Sequence, residues 1–241
     1  MTRAARPDHL DLPLLLVEDL VRLTRAGMKT TTMRPMTAAN SLIGGHASRK
    51  LFGRLDFLSH RVFVDKGPSP MGNPGPYLHV PDDDPEDPAL HRVYSRVQPG
   101  DAFWVRERAR VIEVNGSGAR RMVRLRYEVD EAESGWVLYP PRLATPVIGH
   151  CVANGVHREG ARTWLDVTSV QPRRPVDVDE LEARADGFPC ELHPQGNPPG
   201  KDCGCYVSAP RFRNAWREIY GEASLAGWAW SYGFAFRGGG G

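Results

Sequence analysis

The sequence predicts an α+β fold: a small, mostly antiparallel β-barrel with peripheral helices and two loop insertions. Three observations predict it. Near the end of the chain, Trp228, Trp230, Tyr232, Phe234 and Phe236 put an aromatic residue at every second position. That is the period of a strand with one deeply buried face. The candidate strands, six to eight of them beside three helices, show no βαβ rhythm and no long repeat. Gly (25) and Pro (21) make up about a fifth of the 241 residues, and much of that excess falls in two stretches, 66–88 and 188–207.

The elements follow in order. Residues 1–12 read as a flexible tail. Residues 13–26 have helical spacing, with Leu16, Leu20 and Leu23 on one stripe, Val17 and Val21 beside it, and Arg22 and Arg25 off it. Pro13 suits a first turn and Gly27 the left-handed position past the end. The β-branched run Thr30, Thr31, Thr32 then opens a strand. Residues 66–88 hold seven prolines and the acids Asp82, Asp83, Asp84, Glu86 and Asp87, so they form a loop. Residues 77–80 and 91–97 can pair across it as a hairpin. Gly100-Asp101 turns into a strand at 102–107, and strands follow at 111–114, 123–129 and 164–170. In the third of these four, Val123, Leu125, Tyr127 and Val129 share one face, while Arg124, Arg126 and Glu128 share the other. Residues 177–186 read as a short helix with Asp177 and Glu180 at capping-box spacing. Ser208 caps a second helix, with Phe212, Trp216 and Ile219 inward and Gly221 as its stop. Residues 13–237 are thus read as one domain, followed by a Gly tail at 238–241.

The formal charge is +2, but 27 Arg stand against 4 Lys. Residues 1–62 are basic, with ten Lys or Arg against five acids. Arg49, Lys50, Arg54 and Arg61 lie there, interleaved with Phe52 and Phe57. Basic groups hold phosphates and aromatic rings stack bases; a solvated helix explains the same cluster equally well. No apolar run near the start approaches the ~20 residues of a membrane span. Acidic Glu18 and Asp19 interrupt the only signal-like segment. The expectation is a cytoplasmic protein with no membrane partner.

Chemistry concentrates in one element. Lys29 follows a helix C-terminus, where the partial negative charge favours a cation. Thr30, Thr31 and Thr32 offer three hydroxyls, and Arg34 a second cation. Together they suit a phosphate or a polar base. Trp104 and Arg106 alternate on one strand and could flank a base, although Trp104 as core is the simpler reading.

These pieces occur in an order that resembles the phage- and prophage-associated branch of the ASCH family, whose fold is a PUA-like barrel. Gly27-Met28-Lys29-Thr30-Thr31-Thr32-Met33-Arg34 matches that family's G-x-K-x-x-T/E-x-R element. Gly100-Asp101-Ala102-Phe103-Trp104-Val105-Arg106-Glu107 is similar to its G-D-x-L-W-V-R-E. Tyr127 and Asp130 fit Y-x-x-D, residues 165–170 fit L-x-V-T-x-V, and Ala185-Asp186-Gly187 fits A-E-G. Phe212, Trp216, Ile219, Gly221 and the aromatic strand fit the family's tail. Met33, Met36 and Asp186 depart from it, Asp186 standing where Glu is usual. The resemblance implies binding of RNA, a nucleotide or a modified nucleoside, with Thr30, Arg34, Trp104, Arg106 and Glu107 as ligand-binding candidates. One branch hydrolyses acetylated cytidine. By motif its catalytic Lys, Thr and Glu correspond to Lys29, Thr32 and Asp186, with Glu182 as a substitute for the shorter Asp186. A Lys with a depressed pKa would accept the Thr proton. In an ideal strand Lys29 and Thr32 face opposite ways, so the pair requires Lys29 to lie outside the strand.

Cys190, His193, Cys203 and Cys205 fall in one 16-residue loop. A structural Cys3His zinc would order it; free thiols or one disulfide are the alternatives. The leading expectation is nucleotide or nucleic-acid binding. Its alternatives are an acyl-nucleoside amidohydrolase and a non-catalytic partner-binding accessory protein.

Overall fold

A computed structural model describes residues 10–67, 76–83, 89–152, 155–190 and 207–237. In chain order its strands and α-helices are β1 (Asp11–Leu14), α1 (Glu18–Arg25), β2 (Thr31–Pro35), β3 (Ser41–Ile43), α2 (Arg49–Phe52), β4 (Phe63–Asp65), β5 (Tyr77–Pro81), β6 (Leu90–Ser95), β7 (Ala102–Val105), β8 (Ala109–Asn115), β9 (Met122–Tyr127), β10 (Val137–Leu138), β11 (Trp164–Arg173), α3 (Glu180–Ala185), α4 (Ser208–Tyr220) and β12 (Ala229–Phe236). The fold is mixed α+β with mostly antiparallel sheets, β1 against β7 being parallel. No helix among these residues is long and apolar enough to cross a membrane.

The chain divides into two compact units, each assembled from separate stretches. The first holds 1–29, 101–166 and 235–241; the second holds 30–100 and 167–234.

In the first unit, β1 runs parallel to β7, and β7 pairs antiparallel with the start of β11. A second sheet has the order β10-β9-β8. The predicted alternation in β9 holds: Val123, Leu125 and Tyr127 are buried, while Arg124 and Arg126 pair with Glu133. The predicted helix over 13–26 is corrected. Asp11–Leu14 form a strand and the helix starts at Glu18. Pro13 is tolerated because β1 lies at a sheet edge, where the missing N–H breaks no ladder. The shift rotates the buried stripe of α1 to Val21 and Thr24 and leaves Val17 exposed.

In the second unit, β2 pairs antiparallel with β12, and β3-β6-β5-β4 form a four-stranded sheet. The expected hairpin of residues 77–80 with 91–97 is present as β5 against β6. An apolar core joins Met33 on β2 and Ala229 on β12 to Ala183 on α3 and Phe212 and Trp216 on α4. Helix α3 begins two residues later than predicted: Asp179, not Asp177, accepts from the Glu182 N–H, and Glu182 closes the capping box. Glu180 instead reaches α4, where its carboxylate accepts from the Ser208 and Ala209 N–H groups. Ser208 is therefore inside α4 and not its cap. Ile219 is 68% exposed, against expectation, because the stripe set by Phe212 and Trp216 places it on the far side.

Candidate functional site

The Lys–Thr–Arg element is where the sequence places function. Helix α1 ends at Arg25, Gly27 takes φ +71°, and the Met28 and Lys29 N–H groups both donate to the Leu23 carbonyl. Lys29 therefore closes the helix end, is 2% exposed, and lies outside β2, which starts at Thr31. It is the last residue of the first unit, and Thr30 opens the second.

Within the second unit, β2 puts Thr32 opposite Tyr232 and Arg34 opposite Trp230. Alternation sets all four on one face, while Met33 joins the apolar core on the other. The Thr32 face is polar yet buried. Tyr232 Oη lies 3.3 Å from Ser95 Oγ, Trp230 Nε1 donates to Ser41 Oγ at 3.0 Å, and Gln98 Nε2 donates to the Ser95 carbonyl at 2.7 Å. Thr32, Ser41, Ser95 and Tyr232 are all at most 2% exposed. Burial pushes the Tyr232 phenol up to about 12, against the Ser95 hydrogen bond and the Arg34 charge, so it stays a neutral hydroxyl. Arg34 is half-buried, with Nη1 3.5 Å from Tyr220 Oη on α4.

Asp186 meets β2 at its open edge. Its Oδ2 accepts from the Met33 N–H at 3.0 Å, and the neighbouring Ala185 carbonyl accepts from the Thr30 N–H at 2.8 Å. The end of α3 thus satisfies backbone donors that the edge would otherwise leave unpaired. Glu182, the other carboxylate of this helix, is held by its capping box and by Arg173.

Glu107, Trp104 and Arg106 belong to the first unit. Glu107 is 1% exposed there and sits in a charge network. Arg25 Nη2 lies 2.9 Å from each carboxylate oxygen, Arg162 Nη2 3.0 Å from Oε2, and Thr163 Oγ1 donates at 2.6 Å. Asp130 bridges the same two arginines, and the Arg162 guanidinium stacks 3.7 Å from the Tyr127 ring centroid. Burial raises the Asp130 pKa, but the Arg162 hydrogen bond, the Ala132 N–H and both arginine charges outweigh it and leave it lowered. Glu107, Tyr127 and Asp130 come from two separate motifs, and the fold brings them together. Arg25 and Arg162 were not legible as their partners, because the helical stripe placed Arg25 toward solvent and nothing local marks Arg162. Trp104 and Arg106 are half-buried.

Of the basic cluster, Arg49 and Lys50 are exposed on or beside α2, while Arg54 is paired with buried Asp82 at 2.7 Å. Phe52 and Phe57 pack on each other at 4.9 Å between centroids. Of the zinc candidates, Cys190 is a buried thiol, and His193, Cys203 and Cys205 lie outside the described residues. Among the described residues no group of three or more His, Cys, Asp or Glu could hold a metal.

No family model, curated protein or solved structure matches the chain.

Proposed function

We propose that this protein is an ASCH-type, PUA-like barrel that binds RNA, a nucleotide or a modified nucleoside through the polar layer of β2. The observation that carries this reading is the shared face of Thr32, Arg34, Tyr232 and Trp230. Buried hydroxyls suit the donor and acceptor edge of a base, and a guanidinium suits a phosphate. The test is binding of short RNAs between 50 and 200 mM salt. Affinity is expected to fall steeply, and Arg34→Ala to flatten the log–log slope by about 0.7. A flat salt response removes the nucleic-acid reading.

A second reading is hydrolysis of an acylated cytidine-type nucleoside. It rests on the motif match of Lys29, Thr32 and Asp186. In this reading Thr32 Oγ1 attacks the acyl carbonyl as its proton passes to Lys29, Asp186 assists, and the nucleoside amine leaves. Water then cleaves the acyl-threonine. Purified protein is expected to release acetate from acetylated cytidine, and Lys29→Ala to abolish release. No release leaves binding alone.

A further inference from the structure

We propose that the outer face of the β1-β7-β11 sheet in the first unit is a stacking platform for single-stranded nucleic acid. Pro13, Trp104 and Trp164 are register partners in one row across these three strands. The opposite face carries Leu14, Phe103, Val105 and Leu165, all buried. The two indoles therefore stand on the side of the sheet that its own core does not use, and both are partly exposed beside exposed Pro13.

Cations ring this row. The guanidinium carbon of Arg158 lies 5.6 Å from the Trp164 ring centroid and that of Arg237 lies 5.9 Å from it. Each is steadied by an acid of the next row along the sheet: Arg158 by Asp11 and Arg237 by Asp166, the latter with Nε 2.9 Å from Oδ1. Arg106 follows Trp104 by two residues, its N–H still bonded to the Leu14 carbonyl. Among the described residues no acid pairs with the Arg106 guanidinium. Two adjacent indoles flanked by three arginines match a strand whose bases stack while its phosphates meet guanidinium groups. A duplex hides its base faces, and an acidic peptide would use the arginines but not the indoles. The platform uses none of the residues of the β2 polar layer, so it does not rest on that reading.

The test is titration of the full chain with a ten-nucleotide oligo-uridine and an oligo-thymidine, read by tryptophan fluorescence and by anisotropy of the labelled strand. Quenching on binding is expected. Trp104→Ala should weaken affinity about tenfold, the loss of roughly one stacked base. Arg106→Ala should flatten the log–log salt slope by about 0.7. Arg158→Glu, a surface charge reversal that gives up the Asp11 pair, should cost little stability and should weaken binding of both strands. A duplex of the same length should bind more weakly than either. Binding without quenching, or binding unchanged in both Trp104→Ala and Arg158→Glu, overturns the platform. If Arg34→Ala alone lowers affinity, the platform fails and the β2 reading stands. If only the acidic peptide poly-glutamate binds, or nothing does, the platform is also overturned.

Discussion

Arg25 Nη2 lies 2.9 Å from both carboxylate oxygens of Glu107, a residue 1% exposed. The end of α1 and the connection between β7 and β8, far apart in sequence, are thereby tied by a charge pair that water scarcely reaches. Removing one partner of an isolated buried pair costs roughly 3–5 kcal/mol; here Arg162 still faces Glu107. Arg25 is partly exposed, so Arg25→Ala should fall at the lower end, about 3 kcal/mol. Urea unfolding measures it, and a loss under about 1 kcal/mol would show that Arg162 alone neutralises Glu107.

His157 gives a pH dependence with a defined sign. Its ring is buried, and Nε2 lies 2.6 Å from the Leu138 carbonyl. Burial lowers its pKa below the ordinary 6.5, only partly opposed by that hydrogen bond. The folded state therefore disfavours the proton. The stability it contributes is complete above about pH 6.5 and is lost as pH falls through the lower folded pKa. Melting temperatures from pH 8 to pH 5 should decline more steeply for the native chain than for His157→Gln. Parallel curves would refute the assignment.

Asp186 separates a structural role from a chemical one. Asp186→Asn keeps an oxygen for the Met33 N–H, whereas Asp186→Ala leaves that donor without its acceptor. The alanine variant should lose about 1–2 kcal/mol and the asparagine variant well under 1 kcal/mol. If Asp186 also assists hydrolysis, both variants lose acetate release while only one loses stability. Equal stability losses would mean that the charge, not the hydrogen bond, holds the strand edge.

Gly155 is fixed by its backbone. It takes φ +79°, and a Cβ there would stand 2.6 Å from the Arg106 carbonyl oxygen. Backbone does not move aside as a flexible side chain would, so Gly155→Ala should destabilise by about 2 kcal/mol or more. A melt within one degree of the native chain would show that this loop is free to rearrange.

The Cys3His proposal has a direct measurement. Protein purified without chelator should carry one zinc per chain, and Cys190→Ser should lose it. Elemental analysis giving well under one zinc per chain ends the proposal.

Much of the fold was legible where local period and burial agree. The alternation in β9, the strand at β12, the β5–β6 hairpin and Gly27 as a helix stop all follow from side chains that repeat with the backbone's own period. The errors share a cause. The start of α1 moved because residues 11–14 found β7 as a partner, and periodicity over 14–23 does not reveal that. Likewise the capping box shifted from Asp177 to Asp179, since both acids have the spacing and packing against α4 selects between them. Lys29, Thr32 and Arg34 were marked by motif, but the company Thr32 and Arg34 keep was not. Tyr232, Ser95 and Ser41 reach the same face from three different strands or their ends.

The α+β class, the antiparallel bias and the short list of residues able to do chemistry could all be read along the chain, because they depend on composition and on periods of two and 3.6. Which partner each polar side chain meets came from the folded chain alone. It put Glu107 between two arginines, Glu180 at the start of α4 and Trp164 beside Trp104. The physical reason is range: alternation is written within a few residues, whereas a hydrogen bond or a charge pair is chosen by distance in space, which strand register and helix packing set across a hundred residues or more.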